Sequence, residues 1–149
     1  MTITDRLLAD HKAFRKILDD IESVVRRPVM ERNPAQLRKE VSLLKRMVLF
    51  HAAVEDDVYF PAAAKVVLDL PAEFIPHLTQ EHKTIEGYLN RLEAQVSTRP
   101  VSASWPQTFS LVASGLRSHF KREEEEFFPK ADAALGPEAL TEMGRKTSA

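Results

Sequence analysis

Cysteine is absent from this 149-residue chain, glycine occurs four times, and neither sign of charge dominates. The first absence excludes disulfides, thiolate-bound metals, iron–sulfur ligation and redox thiols. With 21 Lys and Arg against 22 Asp and Glu, the net charge is −1 and the signs are mixed along the chain. No basic stripe suggests nucleic acid, and no Lys/Arg-rich amphipathic face suggests a membrane surface. The longest apolar run, Met47 to Val54, contains His51 and is far too short to cross a bilayer. The opening residues acquire charge at once, which is not the pattern of a secretory signal. Together these absences read as a cytoplasmic protein. Its 44% hydrophobic and 29% charged residues suit one globular domain, residues 1–149, large enough to bury a core without staples.

The nine prolines fall between segments of helical period, and nothing alternates with period two. Leu7, Phe14, Ile17, Leu18, Ile21, Val24 and Val25 predict a first helix from Ile3 to about Arg27. Asn33, Pro34 and Gln36 read as the N-cap, first position and capping box of a second helix that ends near Phe60, bent or stopped by Pro61. A third helix opens at Pro76, or at Pro71 with a kink at Pro76, and ends before Pro100. Ser104-Trp-Pro-Gln107 caps the fourth, which runs to Phe128 and Pro129. Gly136-Pro137 then introduces a tail of one or two turns over Glu138 to Met143. The fold class is all-α, an antiparallel up-down-up-down four-helix bundle over about 3–130 with a C-terminal tail over 131–149.

One device is written twice. His51-Ala-Ala-Val-Glu55 is followed by Tyr59-Phe60-Pro61, and His119-Phe-Lys-Arg-Glu123 by Phe127-Phe128-Pro129. Residues four apart share a helix face, so each pair offers an imidazole and a carboxylate to one point. A second repeat, Asp10-His11-Lys12 and Glu81-His82-Lys83, marks the other two helices. Two hairpins of the same design follow, each a His-helix, a loop and a His-x-x-x-Glu helix. Measured along the helices at roughly 1.5 Å per residue, all four histidines lie about 21–26 Å from their hairpin loops. They therefore fall in one layer.

Four imidazoles and two carboxylates without a thiolate suit iron, manganese or zinc, and the N/O mixture fits a two-iron site best. The predicted ligands are His11, His51, Glu55, His82, His119 and Glu123. Bridging glutamates and an oxo or hydroxo group between two irons leave a sixth position on each metal for a small molecule. The Glu-x-x-His spacing of ferritin-like bundles and the His-Glu-x-x-His spacing of zinc hydrolases are both absent.

In order and spacing these six residues resemble the hemerythrin-like (HHE cation-binding) domain, over about residues 3–130. The resemblance implies a non-haem di-iron centre that binds or reacts with O2, peroxide or nitric oxide. Oxygen-carrying hemerythrins place a second histidine four residues from the first on the third helix and an aspartate on the fourth. Here Leu78 and Glu86 flank His82, and the fourth helix supplies Glu123. The departure points to stand-alone sensors, scavengers and iron-handling or stress proteins of the family. A binding module responsive to iron or oxygen without turnover is the alternative, and a metal-free helical interaction domain a third reading.

Around the six ligands, Glu86 is a candidate seventh, directly or through water. Glu124, Glu125 and Glu126 read as a solvated face, and His77 as an exposed helix start. Tyr59 reads as core, with the option of donating a hydrogen bond to a bound oxygen species. Met47 and Gly115, one turn before His51 and His119, either line the pocket mouth or simply pack.

Overall fold

The computed structural model describes residues 1–66 and 69–147. Seven α-helices carry them: α1 (Ile3–Val25), α2 (Pro34–Val54), α3 (Phe60–Ala64), α4 (Phe74–Ser97), α5 (Trp105–Arg122), α6 (Phe128–Leu135) and α7 (Pro137–Lys146). No strand occurs among the described residues. No helix among them is long and apolar enough to cross a membrane.

Thr2 and Asp5 close a reciprocal capping box at the start of α1, which satisfies two otherwise orphaned backbone donors. Asn33 caps α2 through the Gln36 N–H, as its sequence predicts, but the Gln36 side chain turns to Glu40 instead of completing a box. The predicted cap at Ser104 is corrected: its hydroxyl makes no capping bond and pairs with Ser102 and Gln95. The third long helix starts at Phe74, between the two predicted starts, with Pro76 inside its first turn, where a missing N–H costs nothing.

Pro61, read as bending or stopping its helix, does not stop it, and Pro129 does not end its own as the sequence reading expects. A single π turn, Glu55–Tyr59, joins α2 to α3, and another, Glu123–Phe127, joins α5 to α6. In each, the N–H one residue before the proline bonds five residues back: Phe60 to the Glu55 carbonyl, and Phe128 to the Glu123 carbonyl. Proline cannot donate, and its ring crowds the carbonyl four residues behind. A widened turn relieves that crowding and lets the helix go on. Both π turns begin on a glutamate of the repeated motif.

The long helices touch in cyclic order, α1 with α2, α2 with α4, α4 with α5, and α5 with α1. Two apolar clusters fill the interior. One holds the end of α1 (Leu18, Val24), the start of α2 (Leu37, Val41), the end of α4 (Leu92, Val96) and the start of α5 (Trp105, Phe109). The other holds Ile3 and Leu7 with Tyr59, Phe60, Leu78, Phe127 and Phe128. Successive long helices thus run between the clusters in alternate directions. Between the clusters lies the polar layer.

The tail differs most from expectation. Gly136 turns the chain at φ 84°, a conformation that favours glycine, and Pro137 opens a ten-residue helix that packs back on α1. Leu140 and Met143 join the second cluster. Only two large apolar residues mark this helix, too few to read its length from periodicity. Its close approach depends on Gly144, where a Cβ would meet the Met1 carbonyl oxygen at 2.4 Å and the Ile3 nitrogen at 2.9 Å. Gly144→Ala must push the two backbones apart, and we expect a loss of about 1–3 kcal/mol, as for an overpacked core. Gly87→Ala, with nothing within 4 Å of the added atom, should leave the melting temperature unchanged or raise it. Thermal melts of both variants check this, and equal melts would show that α7 does not depend on contact at Gly144.

Candidate metal centre

Glu55 and Glu123 are 0% exposed, His11 0%, His119 1% and His51 3%; His82 lies at the edge, with 9% of its side chain accessible. Groups this polar interrupt an apolar interior only at high cost unless something satisfies them. Their inner atoms converge. His11 Nε2 stands 3.1 Å from Glu123 Oε1, and His51 Nε2 3.5 Å from Glu55 Oε1. His82 Nε2 stands 3.0 Å from the same Glu55 oxygen. His119 Nε2 is 3.4 Å from Glu123 Oε1 and 3.8 Å from Glu55 Oε1. Two sets of four result, His11, His51, Glu55 and Glu123, and Glu55, His82, His119 and Glu123. In each, one ligand atom per residue lies within 4.8 Å of all the others. Both glutamates belong to both sets.

The outward nitrogens are held just as deliberately. Asp10 Oδ2 lies 2.9 Å from His51 Nδ1, and Asp56 Oδ1 2.9 Å from His82 Nδ1. Glu81 Oε1 lies 3.3 Å from His119 Nδ1, and Glu124 Oε2 2.7 Å from His11 Nδ1. Each acid reaches from its own helix, or from the π turn that continues it, to the next helix round: α1 to α2, α2 to α4, α4 to α5, α5 to α1. An ionised carboxylate only accepts, so Nδ1–H donates and Nε2 is the nitrogen turned inward, the arrangement typical of metal-bound histidine. Arg15 fixes Glu124 at 2.9 Å, Arg122 bonds to Glu81, and Thr79 donates to Asp56 at 3.3 Å. The imidazole planes are set by aromatic faces. His11 stacks on Phe120 and Phe128, and His82 on Phe60. The aromatic nine residues after each motif histidine therefore backs the imidazole of a neighbouring helix.

Taken as protein groups alone, this cluster is in conflict. Burial, followed by the charge of Glu55, pushes Glu123 well above the usual carboxylate range. Burial acts the same way on Glu55, but His51, Glu123 and the facing His119 and His82 outweigh it and hold Glu55 well below that range. Burial also opposes charge on the histidines. It carries His11, aided by His51, down to about 4. At His119 the two glutamates win, and it is pushed up to about 10. His82 is raised by Asp56 and Glu55 against its burial. A second carboxylate charge is thus disfavoured at Glu123, where burial and the charge of Glu55 outweigh the facing His119. His11 Nε2, His51 Nε2, Glu55 Oε2 and both Glu123 oxygens are buried without a hydrogen-bond partner. Cations between these atoms resolve the conflict, since all six groups then serve as deprotonated donors. The residues fit a metal.

All six predicted ligands meet at this centre. The candidate seventh, Glu86, is corrected: it is exposed and belongs to neither set. Glu81, on the other side of His82, is the α4 carboxylate that serves the centre. Glu125 and Glu126 are solvated as expected, but Glu124 is 28% exposed and holds His11. The option of a Tyr59 hydrogen bond to the centre is also corrected, because its hydroxyl donates to Asp132 and contacts Thr4. His77 is exposed, and Met47 packs on the first cluster. A Cβ on Gly115 would sit 3.4 Å from the Ile85 side chain, an ordinary contact between α5 and α4. The four outer carboxylates were missed as such. Their signal was present: an acid immediately before each odd-helix histidine, Asp10 and Glu81, and immediately after each motif glutamate, Asp56 and Glu124.

A helical bundle with a buried layer of histidines and shared carboxylates defines a metal-binding protein. The chain belongs to the hemerythrin HHE cation-binding domain family, whose profile matches residues 2–131. No curated protein and no solved structure matches it.

Removing one shared carboxylate deprives both sets at once. Glu55→Ala and Glu123→Ala should therefore lower metal content sharply, while Glu86→Ala and Glu125→Ala leave it unchanged, as measured by elemental analysis of protein purified without chelator. Equal content in all four would place the metal elsewhere. Uptake must also displace protons, since His119 is pushed up to about 10 and Glu123 is raised. Calorimetric titrations in buffers of different ionisation enthalpy should show proton release near pH 7 and weaker binding as pH falls. Binding without proton release would contradict this charge assignment.

Proposed function

We propose that the chain holds two irons, one between His11 and His51 and one between His82 and His119, with Glu55 and Glu123 shared, and that this centre reacts with O2, peroxide or nitric oxide. The observation that carries the reading is the membership of both glutamates in both four-residue sets. Six convergent N and O donors overfill a single metal, and such donors without thiolate suit non-haem iron. When bound, iron would supply the redox chemistry, as cofactors generally do.

The protein's own residues would set the conditions. The imidazoles are aimed by Asp10, Asp56, Glu81 and Glu124, so little reorganisation accompanies binding. Phe14, Phe60, Phe120 and Phe128 pack against the imidazoles. A cavity of about 10 Å³ lies against His51, His82 and His119, lined also by Ile85, Leu116 and Phe120. That is space for about one water-sized molecule, which favours a diatomic or peroxide over an organic substrate. Leu78 packs in the second cluster, 1% exposed, so α4 offers no imidazole on that side of His82. This supports reaction with O2 over reversible carriage.

Protein expressed with ample iron should contain about two irons per chain. The reduced form, mixed with oxygenated buffer in a stopped-flow instrument, should oxidise without a long-lived oxygenated complex. One tightly held zinc with no iron would refute the di-iron reading. A complex that releases O2 under vacuum would show a carrier instead. Metal-dependent binding without any turnover of peroxide or nitric oxide would favour a responsive module.

A further inference from the structure

At the loop end of the bundle, α1 gives way to α2 and α4 gives way to α5 around a cavity of about 460 Å³. Its apolar wall includes Leu37, Val101 and Trp105, and Arg32, Arg38 and Arg99 also line it. No acidic residue is among its lining, and none of the three arginines forms an ion pair among the described residues. Leu37 lies roughly 20 Å along α2 from His51, so this cavity is separate from the metal centre.

The arginines differ in how firmly they are held. Arg32 is fixed by bonds from Nε to the Arg27 carbonyl at 3.0 Å and from Nη2 to the Val25 carbonyl at 2.9 Å. Its guanidinium stands 5.7 Å over the Trp105 ring. Its Nη1 makes no hydrogen bond among the described residues. Arg38 makes only a long bond, 3.5 Å, to the Val96 carbonyl, and Arg99 is exposed. Three arginines without carboxylate partners thus line one cavity whose other walls are largely apolar, and its charge is net positive. Guanidinium forks match carboxylates in plane and spacing, and a cavity of this size lies within the range that takes small organic ligands.

We propose that this cavity binds an organic monocarboxylate with an aliphatic body, its head between the guanidinium groups of Arg32, Arg38 and Arg99 and its chain against Leu37, Val101 and Trp105. The complementarity is twofold: net positive charge to anion, apolar wall to hydrocarbon. A neutral molecule of the same shape would gain only the second part, and a cation would be repelled by the first.

Trp105 is the only tryptophan of the chain, and it reports on its own cavity. The full-length protein, carrying its metal, is titrated with octanoate, 1-octanol and octyltrimethylammonium, followed by calorimetry and by tryptophan emission. Octanoate should saturate at one site, shift the emission, and bind about tenfold more tightly than octanol, the worth of one charge-assisted hydrogen bond. The cation should not bind. Arg38→Gln combined with Arg99→Gln should weaken octanoate about tenfold while leaving octanol and the metal content unchanged. Equal affinities for octanoate and octanol would overturn the proposal, as would an unaltered octanoate affinity in the double variant. Failure of octanoate to saturate or to move the Trp105 emission would overturn it as well.

Discussion

Everything at the centre depends on which nitrogen of each histidine faces inward, and that is decided from outside the metal site. Four carboxylates, each on one helix and each bonded to the imidazole of the next, close a ring around the bundle. The ring does two things through one set of contacts. It ties neighbouring helices pairwise at the level where the apolar core is interrupted, and it commits Nδ1 as donor so that Nε2 is the nitrogen offered inward. The buried glutamates alone would not achieve this, because a histidine free to rotate could satisfy a carboxylate with either nitrogen.

The cost of the arrangement falls on the backbone and on the charge balance. Both motif glutamates start a π turn, and a proline follows each turn by two residues. A π turn carries an extra residue, which changes the helical phase of everything beyond it. That phase change brings Phe60 and Phe128 onto the imidazoles of neighbouring helices, while Tyr59 and Phe127 remain in the core. Without cations, two carboxylates and four imidazoles in a dry layer cannot all adopt the charge states they prefer. Metal bound to the native state would therefore add to its stability.

Much of this was legible in the sequence. The helices and the level of the four histidines followed from periodicity and from a rise that varies little between helices. Four of the six converging residues, His51, Glu55, His119 and Glu123, followed because four-residue spacing fixes a face, and His11 and His82 followed from the second repeat and their shared level. What did not follow had three physical causes. Glu81 and Glu86 are both near His82 in sequence, and only the helix rotation decides that Glu81 faces His119 while Glu86 faces solvent. Glu124 looked like its neighbours because charge runs carry no sign of which member has a partner. Pro61 and Pro129 read as helix ends because proline normally is one, and the compensating π turn has no composition of its own. The docked α7 was hidden for a simpler reason: its fit depends on one missing Cβ, at Gly144.

Two shared glutamates and four inward Nε2 atoms would define two adjoining metal positions. Anomalous diffraction from crystals of the iron-loaded protein, collected on both sides of the iron edge, tests this most directly. Two peaks are expected, about 3.5–4 Å apart as in other two-metal sites, one contacted by Nε2 of His11 and His51, the other by Nε2 of His82 and His119, with Glu55 and Glu123 contacting both. A single peak, coordination through Nδ1, or a peak away from this layer would contradict it.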